Sequence, residues 1–266
     1  MRDIYFVLKY ELFKFFKTAR GYILLLTGTV PIIIFLSITA EKYRLEFLVS
    51  GDMAIIQNAL LVAYVFYSYI IMIFFTIMVY SDILTNEKSY EFLLVSTSRA
   101  SILLGKVLTS IILNIILIFE TMIAFILTLV SYKVFIPHLD LLALSFLISF
   151  TICVFLVIPV ILISNTLIIK IGGLASSMAN YLAIFIFFVI PFIIYFSLFE
   201  LSLFQPAILN YSIHTFVQNF VYSFFITSSI PKSQIEVQNS ILSLILFGVA
   251  GYIVSFILFL KSSIIN

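Results

Sequence analysis

Glu120 lies deep in an apolar run from Ile102 to Ser131, where a carboxylate is out of keeping with its surroundings. It follows Lys106 by 14 residues, or ~21 Å along a helix rising ~1.5 Å per residue. An ionisable group at that depth faces the protein interior and marks a transport pathway or a buried partner. The plainer alternative is a protonated or hydrogen-bonded glutamate at a helix or subunit contact. Other chemistry is sparse. His138 and His214 are far apart in sequence without nearby ligand partners, so no metal site is expected. Gly105-Lys106 lacks the upstream glycine and the following Ser/Thr of a phosphate-binding loop, so the chain is not expected to hydrolyse ATP. No serine stands in a nucleophile elbow and no carboxylate pair lies within one apolar run. Catalytic residues are therefore assigned to none, and the chain is not expected to be an enzyme. Asn210, His214 and Gln218 recur every four residues and would share one face of a helix.

The densest polar stretch runs from Asp82 to Lys106. It carries Asp82, Glu87, Lys88, Glu91, Arg99 and Lys106 in a chain that is only 10% charged. Between the charges, Glu91-Phe92-Leu93-Leu94 forms a short amphipathic piece. A charged, partly apolar loop between membrane spans suits docking by a protein outside the membrane, with Phe92, Leu93 and Leu94 as anchors. Glu87, Lys88, Glu91 and Arg99 would then fix the register.

The elements that position these residues follow from hydropathy. With 64% hydrophobic residues and a mean hydropathy of +1.27, the chain carries more apolar surface than a soluble fold can hide. The expected fold is an all-α integral membrane protein, a single transmembrane domain over 1–266. Net charge +2 argues against nucleic acid as a partner. The single cysteine, Cys153, excludes an intrachain disulfide. Tryptophan is absent, so an interfacial aromatic belt would rest on tyrosine. Residues 3–18 read as an interfacial amphipathic helix. Ile4, Leu8, Leu12 and Phe15 share one face, Asp3, Tyr10, Lys14 and Lys17 another, and Lys9, Lys14 and Lys17 reach toward lipid phosphate. Spans are expected at 22–40, 58–81, 102–131, 141–169, 174–199 and 240–260, with 82–101 as the cytoplasmic segment. The punctuated stretch 201–239 reads as outer-face or re-entrant helices, or equally as an amphipathic helix lying on lipid. Six spans put both termini on one side. Ten lysines and arginines on that side against four on the other place the termini and the central loop in the cytoplasm, in a multi-pass cell membrane protein.

Glu87-Lys88, Glu91, Leu93-Leu94, Ser96, Arg99, Ile102-Leu103 and Gly105-Lys106 resemble the cytoplasmic signature of ABC-2 type transporter permeases. Ser89-Tyr90 replace that pattern's Gly-Thr, and its proline after Ser/Thr is missing. An N-terminal interfacial helix, six spans and an outer segment before the last span are similar to that family in layout. The resemblance implies a coupling helix in 82–101 that fits a groove on a separate ATP-binding cassette subunit, present in two copies. It implies a second permease subunit, identical or related, and ATP with Mg on the ATPase, this chain binding no cofactor itself. The implied function is export of an amphiphile (lipid, glycan-lipid, peptide or drug) by an ATP-driven transporter. A secondary carrier coupled to ions or protons, working without ATP, is the alternative from another class, and Glu120 is its evident charge. A membrane-embedded enzyme would need clustered catalytic residues.

Overall fold

The computed structural model describes residues 2–17, 21–22, 26, 29–38, 40–41, 60–61, 64–65, 67–77, 98–133, 139–171 and 234–261. Glu87, Lys88 and residues 91–94, the expected span 174–199, and Asn210, His214 and Gln218 lie outside the described residues. What is described is helical but for Ser98 and the turn at Tyr132-Lys133.

The first helix, α1 (Arg2–Lys17), has Asp3 in its first turn and Lys14 and Lys17 in its last, each sign complementing the helix dipole. Its inner face is Val7 and Glu11, fully or nearly buried, flanked by half-buried Ile4, Leu8, Leu12, Lys14 and Phe15. Two short apolar helices follow, α2 (Thr29–Ile38) and α3 (Tyr67–Ile77). They fall within the first two expected spans. Ile32 and Leu36 point inward from α2, while Ser68, Tyr69, Met72, Ile73 and Thr76 do so from α3. Phe75 and Ile77 are buried as well and only Phe74 is exposed, so α3 is enclosed nearly all round, whereas α2 buries one face at i, i+4 spacing.

The long helix α4 (Arg99–Ser131) has 33 residues, about 50 Å at the α-helical rise, well beyond a hydrocarbon core of about 30 Å. Ser98 starts it as an N-cap: its Oγ accepts the Ser101 N–H at 3.2 Å, filling one of the first turn's orphan donors. It ends at Lys133, whose φ of 55° turns the chain out of the helix, with the Tyr132 N–H donating to the Thr128 carbonyl. The helix therefore begins three residues before the expected span, and Arg99 belongs to its first turn.

Helix α5 (Leu139–Ile152) runs through a π-helical turn, Cys153–Val157, into α6 (Ile158–Ile171). In the widened turn the Ile158 N–H reaches back five residues to the Cys153 carbonyl. The next donor in that register would be residue 159 to Val154, but Pro159 has no N–H. The Tyr252 hydroxyl donates to the Val154 carbonyl instead, at 2.8 Å. Tyr252 belongs to α7 (Gln234–Lys261), which opens within 201–239, the stretch read as outer-face or re-entrant helices. At Gly248 the α7 backbone lies flush on the π-turn, since a Cβ there would stand 2.6 Å from the Phe155 carbonyl oxygen.

Among the described residues, three helical stretches, Arg99–Ser131, Asp140–Ser164 and Leu244–Lys261, are long and apolar enough to cross a membrane. One core joins α2 to α7. Outward, Leu104, Leu108, Phe119, Ile123 and Leu127 line α4, and Leu246, Val249, Ile253, Ile257 and Leu260 line α7. Exposed apolar stripes on both helices are what lipid covers, so the protein is membrane-embedded.

Candidate functional site

The polar chemistry among the described residues gathers on α4, in three places. Nearest its N-terminus is a joint with α1. Gly105 lets the two backbones approach: a Cβ there would fall 2.6 Å from Val7 Cγ1 and 3.3 Å from the Ile4 carbonyl oxygen. One residue on, Lys106 Nζ meets Glu11 Oε1 at 3.0 Å, with the side chains only 2% and 9% exposed. Two charges withdrawn from water each need the other, because removing either leaves its partner buried and uncompensated. Ile102 and Val7 close the apolar side of the joint, and Phe15 abuts Phe75 of α3 edge-on at 5.4 Å. The close approach at Gly105 and the ion pair at Lys106 thus fix the start of α4 against α1, just past the cap at Ser98. Arg99 stands half-buried in that first turn. A cation at a helix N-terminus opposes the dipole, so helix stability does not explain an arginine there.

Farther along, a polar seam joins α4 to α3 and the helical residues before it. Asn114 Nδ2 donates to Thr76 Oγ1 and to the Ser110 carbonyl, both at 2.9 Å. The Thr121 hydroxyl donates to the Ile118 carbonyl at 3.0 Å, leaving its oxygen to accept from Ser68 Oγ at 3.3 Å. Tyr64 OH donates to the same Ile118 carbonyl at 3.3 Å, and its ring packs against Phe125. Ser110, Asn114, Thr121 and Thr128 follow one another at helical spacing on the buried face of α4. In hydrocarbon, such pairs hold helices together because lipid offers no competing partner. Ser110 Oγ and Asn114 Oδ1 remain without a hydrogen bond.

The third place is Glu120. It precedes Thr121 by one residue, a turn of ~100° around the helix that takes it off the seam. Its Oε2 is buried without a hydrogen-bond partner, and the outward-facing Phe119 and Ile123 lie to one side of it around the helix. A lone carboxyl at the margin of a helix bundle can carry a proton or receive a donor from a neighbouring subunit.

Of the residues singled out in the sequence, Lys9 and Lys17 are exposed and Lys14 half-buried on α1. Arg99 opens α4, and Glu120 is separate from both joint and seam. Among the described residues no group of three His, Cys, Asp or Glu side chains could hold a metal. The joint went unread in the sequence, although one signal was there: Glu11 interrupts the face set by Ile4, Leu8, Leu12 and Phe15, where an acid needs a buried partner. The seam left a weaker trace, a lone Asn114 within an apolar run. No protein-family model matches the chain, and a search of curated proteins finds no relative.

Proposed function

We propose that this chain is the membrane subunit of an ATP-driven exporter, resembling ABC-2 type permeases, with ATP hydrolysed by a separate subunit docked on residues 82–101. In this reading the chain crosses the plasma membrane six times, with both termini and the docking segment in the cytoplasm. It works as a pair with a second permease subunit, and it moves an amphiphile. The motif between Glu87 and Lys106 supplies the class.

The joint between α1 and α4 is the structural observation that supports it. A chain without an ATP site can use ATP only by receiving motion through a rigid contact. Here α4 is capped at Ser98, within the last turn's length of the docking segment, and fastened to α1 by Lys106 and Glu11. A displacement at Arg99 is then passed to the whole 33-residue helix without slack. Closure of two ATPase subunits would tilt the paired permease subunits and switch access to the path between them.

The test is co-purification from native membranes under mild conditions, comparing the native chain with a Glu91→Arg, Leu94→Asp double variant. Recovery of an ATPase subunit that the double variant loses is the expected result. Well-folded native chain that brings down no ATPase refutes the reading. Glu120, with its unpartnered buried oxygen, favours the proton-coupled carrier as second reading. In that case Glu120→Gln abolishes substrate uptake driven by a pH gradient in ATP-free vesicles.

A further inference from the structure

A hydroxyl inside the membrane has one partner always within reach, the carbonyl three or four residues back on its own helix. Thr109, Thr128, Ser145 and Ser255 all take it, at 2.7–2.9 Å. Ser110 and Ser149 do not. Both are fully buried, and each Oγ is without a hydrogen bond. A hydroxyl that forgoes its own helix in hydrocarbon needs another partner, because a buried donor left unmet is costly.

What stands beside each of them is also short of partners. Asn114 lies one turn beyond Ser110, and its Nδ2 donates back to the Ser110 carbonyl and across to Thr76 Oγ1. That commits the donor end of the amide and leaves Oδ1 as an acceptor with no donor. Ser110 has a proton to give and Asn114 a lone pair to fill, yet the two do not bond to each other.

Ser149 of α5 stands beside the Tyr64 hydroxyl, as do Ser68 and Thr121, without closing a hydrogen bond to it. The Ile118 carbonyl that Tyr64 uses already takes the helical N–H of Met122 and the Thr121 hydroxyl at 3.0 Å. Tyr64, at 3.3 Å, is a third donor on two lone pairs. Ser68 and Thr121 are likewise 3.3 Å apart, slack beside the ~2.7–2.8 Å of a firm O–H···O bond.

We propose that the seam is a binding site for internal water at two places. One molecule sits among Ser110 Oγ, Asn114 Oδ1 and Thr76 Oγ1, the other among the hydroxyls of Tyr64, Ser149 and Ser68. Water suits both because it accepts and donates at once. It accepts from Ser110 and donates to Asn114 and Thr76; it accepts from Tyr64 and Ser149 and donates to Ser68. Each molecule then has about three polar partners, the usual complement of a buried water. No carboxylate is among these groups, so a neutral ligand fits them better than an ion. Asn114 and Thr121 stand ~12 and ~22 Å past Lys106 along α4, which puts both waters within the hydrocarbon thickness. The inference is independent of the exporter reading.

Water-to-protein magnetisation transfer, read by solid-state NMR on the full-length protein in phospholipid bilayers, tests both places in the native sequence. Transfer to the Asn114 side-chain amide and to Ser149 is expected to be several-fold faster than to Thr128 and Ser255. Those two are likewise buried but closed on their own helix, so they report how a dry hydroxyl behaves. A rate at Asn114 no faster than theirs overturns the first site, and such a rate at Ser149 overturns the second. Ser149→Val should abolish fast transfer at Ser68 and leave Asn114 unchanged, and undiminished transfer at Ser68 also overturns the second site. The native comparison decides even if that variant does not fold. Resonances of Tyr64 and Ser149 that shift when sodium replaces choline in the buffer overturn water in favour of an alkali cation.

Discussion

A lysine and a glutamate buried against one another make the protein most sensitive at Glu11 and Lys106. Lys106→Met alone strands the carboxylate of Glu11 and should cost about 3–5 kcal/mol, whereas Lys106→Met with Glu11→Leu should recover most of that loss. Unfolding of the single and double variants in mild detergent measures both, and a double variant no better than the worse single would refute the pairing. Gly105 sets a steric limit beside it. Gly105→Ala drives a Cβ into Val7 and should cost about 1–3 kcal/mol by overpacking, with Val7→Ala in the same chain relieving most of it. Asn114→Leu removes the donor to Thr76 and should cost about 1 kcal/mol, read from the same unfolding curves. That loss ought to be smaller when Thr76→Val is already present.

Among the elements, the fourth expected span carries the most local tension between sequence and hydrogen bonding. The π-turn and Pro159 together leave the Val154 carbonyl without a backbone donor, and Tyr252 supplies one from α7. Tyr252→Phe should therefore destabilise the protein by about 1 kcal/mol in the native background. In a Pro159→Ala chain, whose residue 159 regains its N–H, the same change should cost clearly less. A double-mutant cycle on thermal unfolding decides this, and equal costs in the two backgrounds would show that Tyr252 does not serve the carbonyl. Here too lies the boundary of what sequence could show. Apolar runs of 20 or more residues, as around Ile102–Ser131 and Leu141–Ile169, announce helices because lipid leaves the backbone no other way to satisfy itself. Pro159 marked an irregularity, but not that a turn would widen just before it or that a tyrosine 93 residues later would repair it. Glu11 and Lys106 are likewise 95 residues apart, and nothing local says that a glutamate of the N-terminal helix meets a lysine at the start of the third apolar run. Hydroxyls in spans are the least legible. Thr109, Thr128 and Ser131 bond to carbonyls of their own helix, while Ser68 and Thr121 bond across helices, and the residue types are the same.

At the scale of the whole molecule, the exporter reading requires that motion at residues 82–101 reach the spans only while α1 is fastened to α4. In the exporter reading, Lys106→Met leaves ATPase capture intact but lowers ATP-dependent export, because the contact is made and its motion is lost. Export measured in inverted vesicles, alongside the pull-down, separates that outcome from simple loss of docking. The joint also has a consequence for how the protein is made. Its two halves are 95 residues apart, so at ordinary translation rates about 5–20 s pass between the emergence of Glu11 and that of Lys106. Throughout that interval α1 has left the ribosome with its eventual mate unsynthesised. Seating of α1 thus becomes a late step of biogenesis, a seal that forms only after the third apolar segment has been threaded into the membrane. A nascent chain arrested short of residue 106 should leave its N-terminal helix open to protease, and one arrested well beyond Ser131 should protect it.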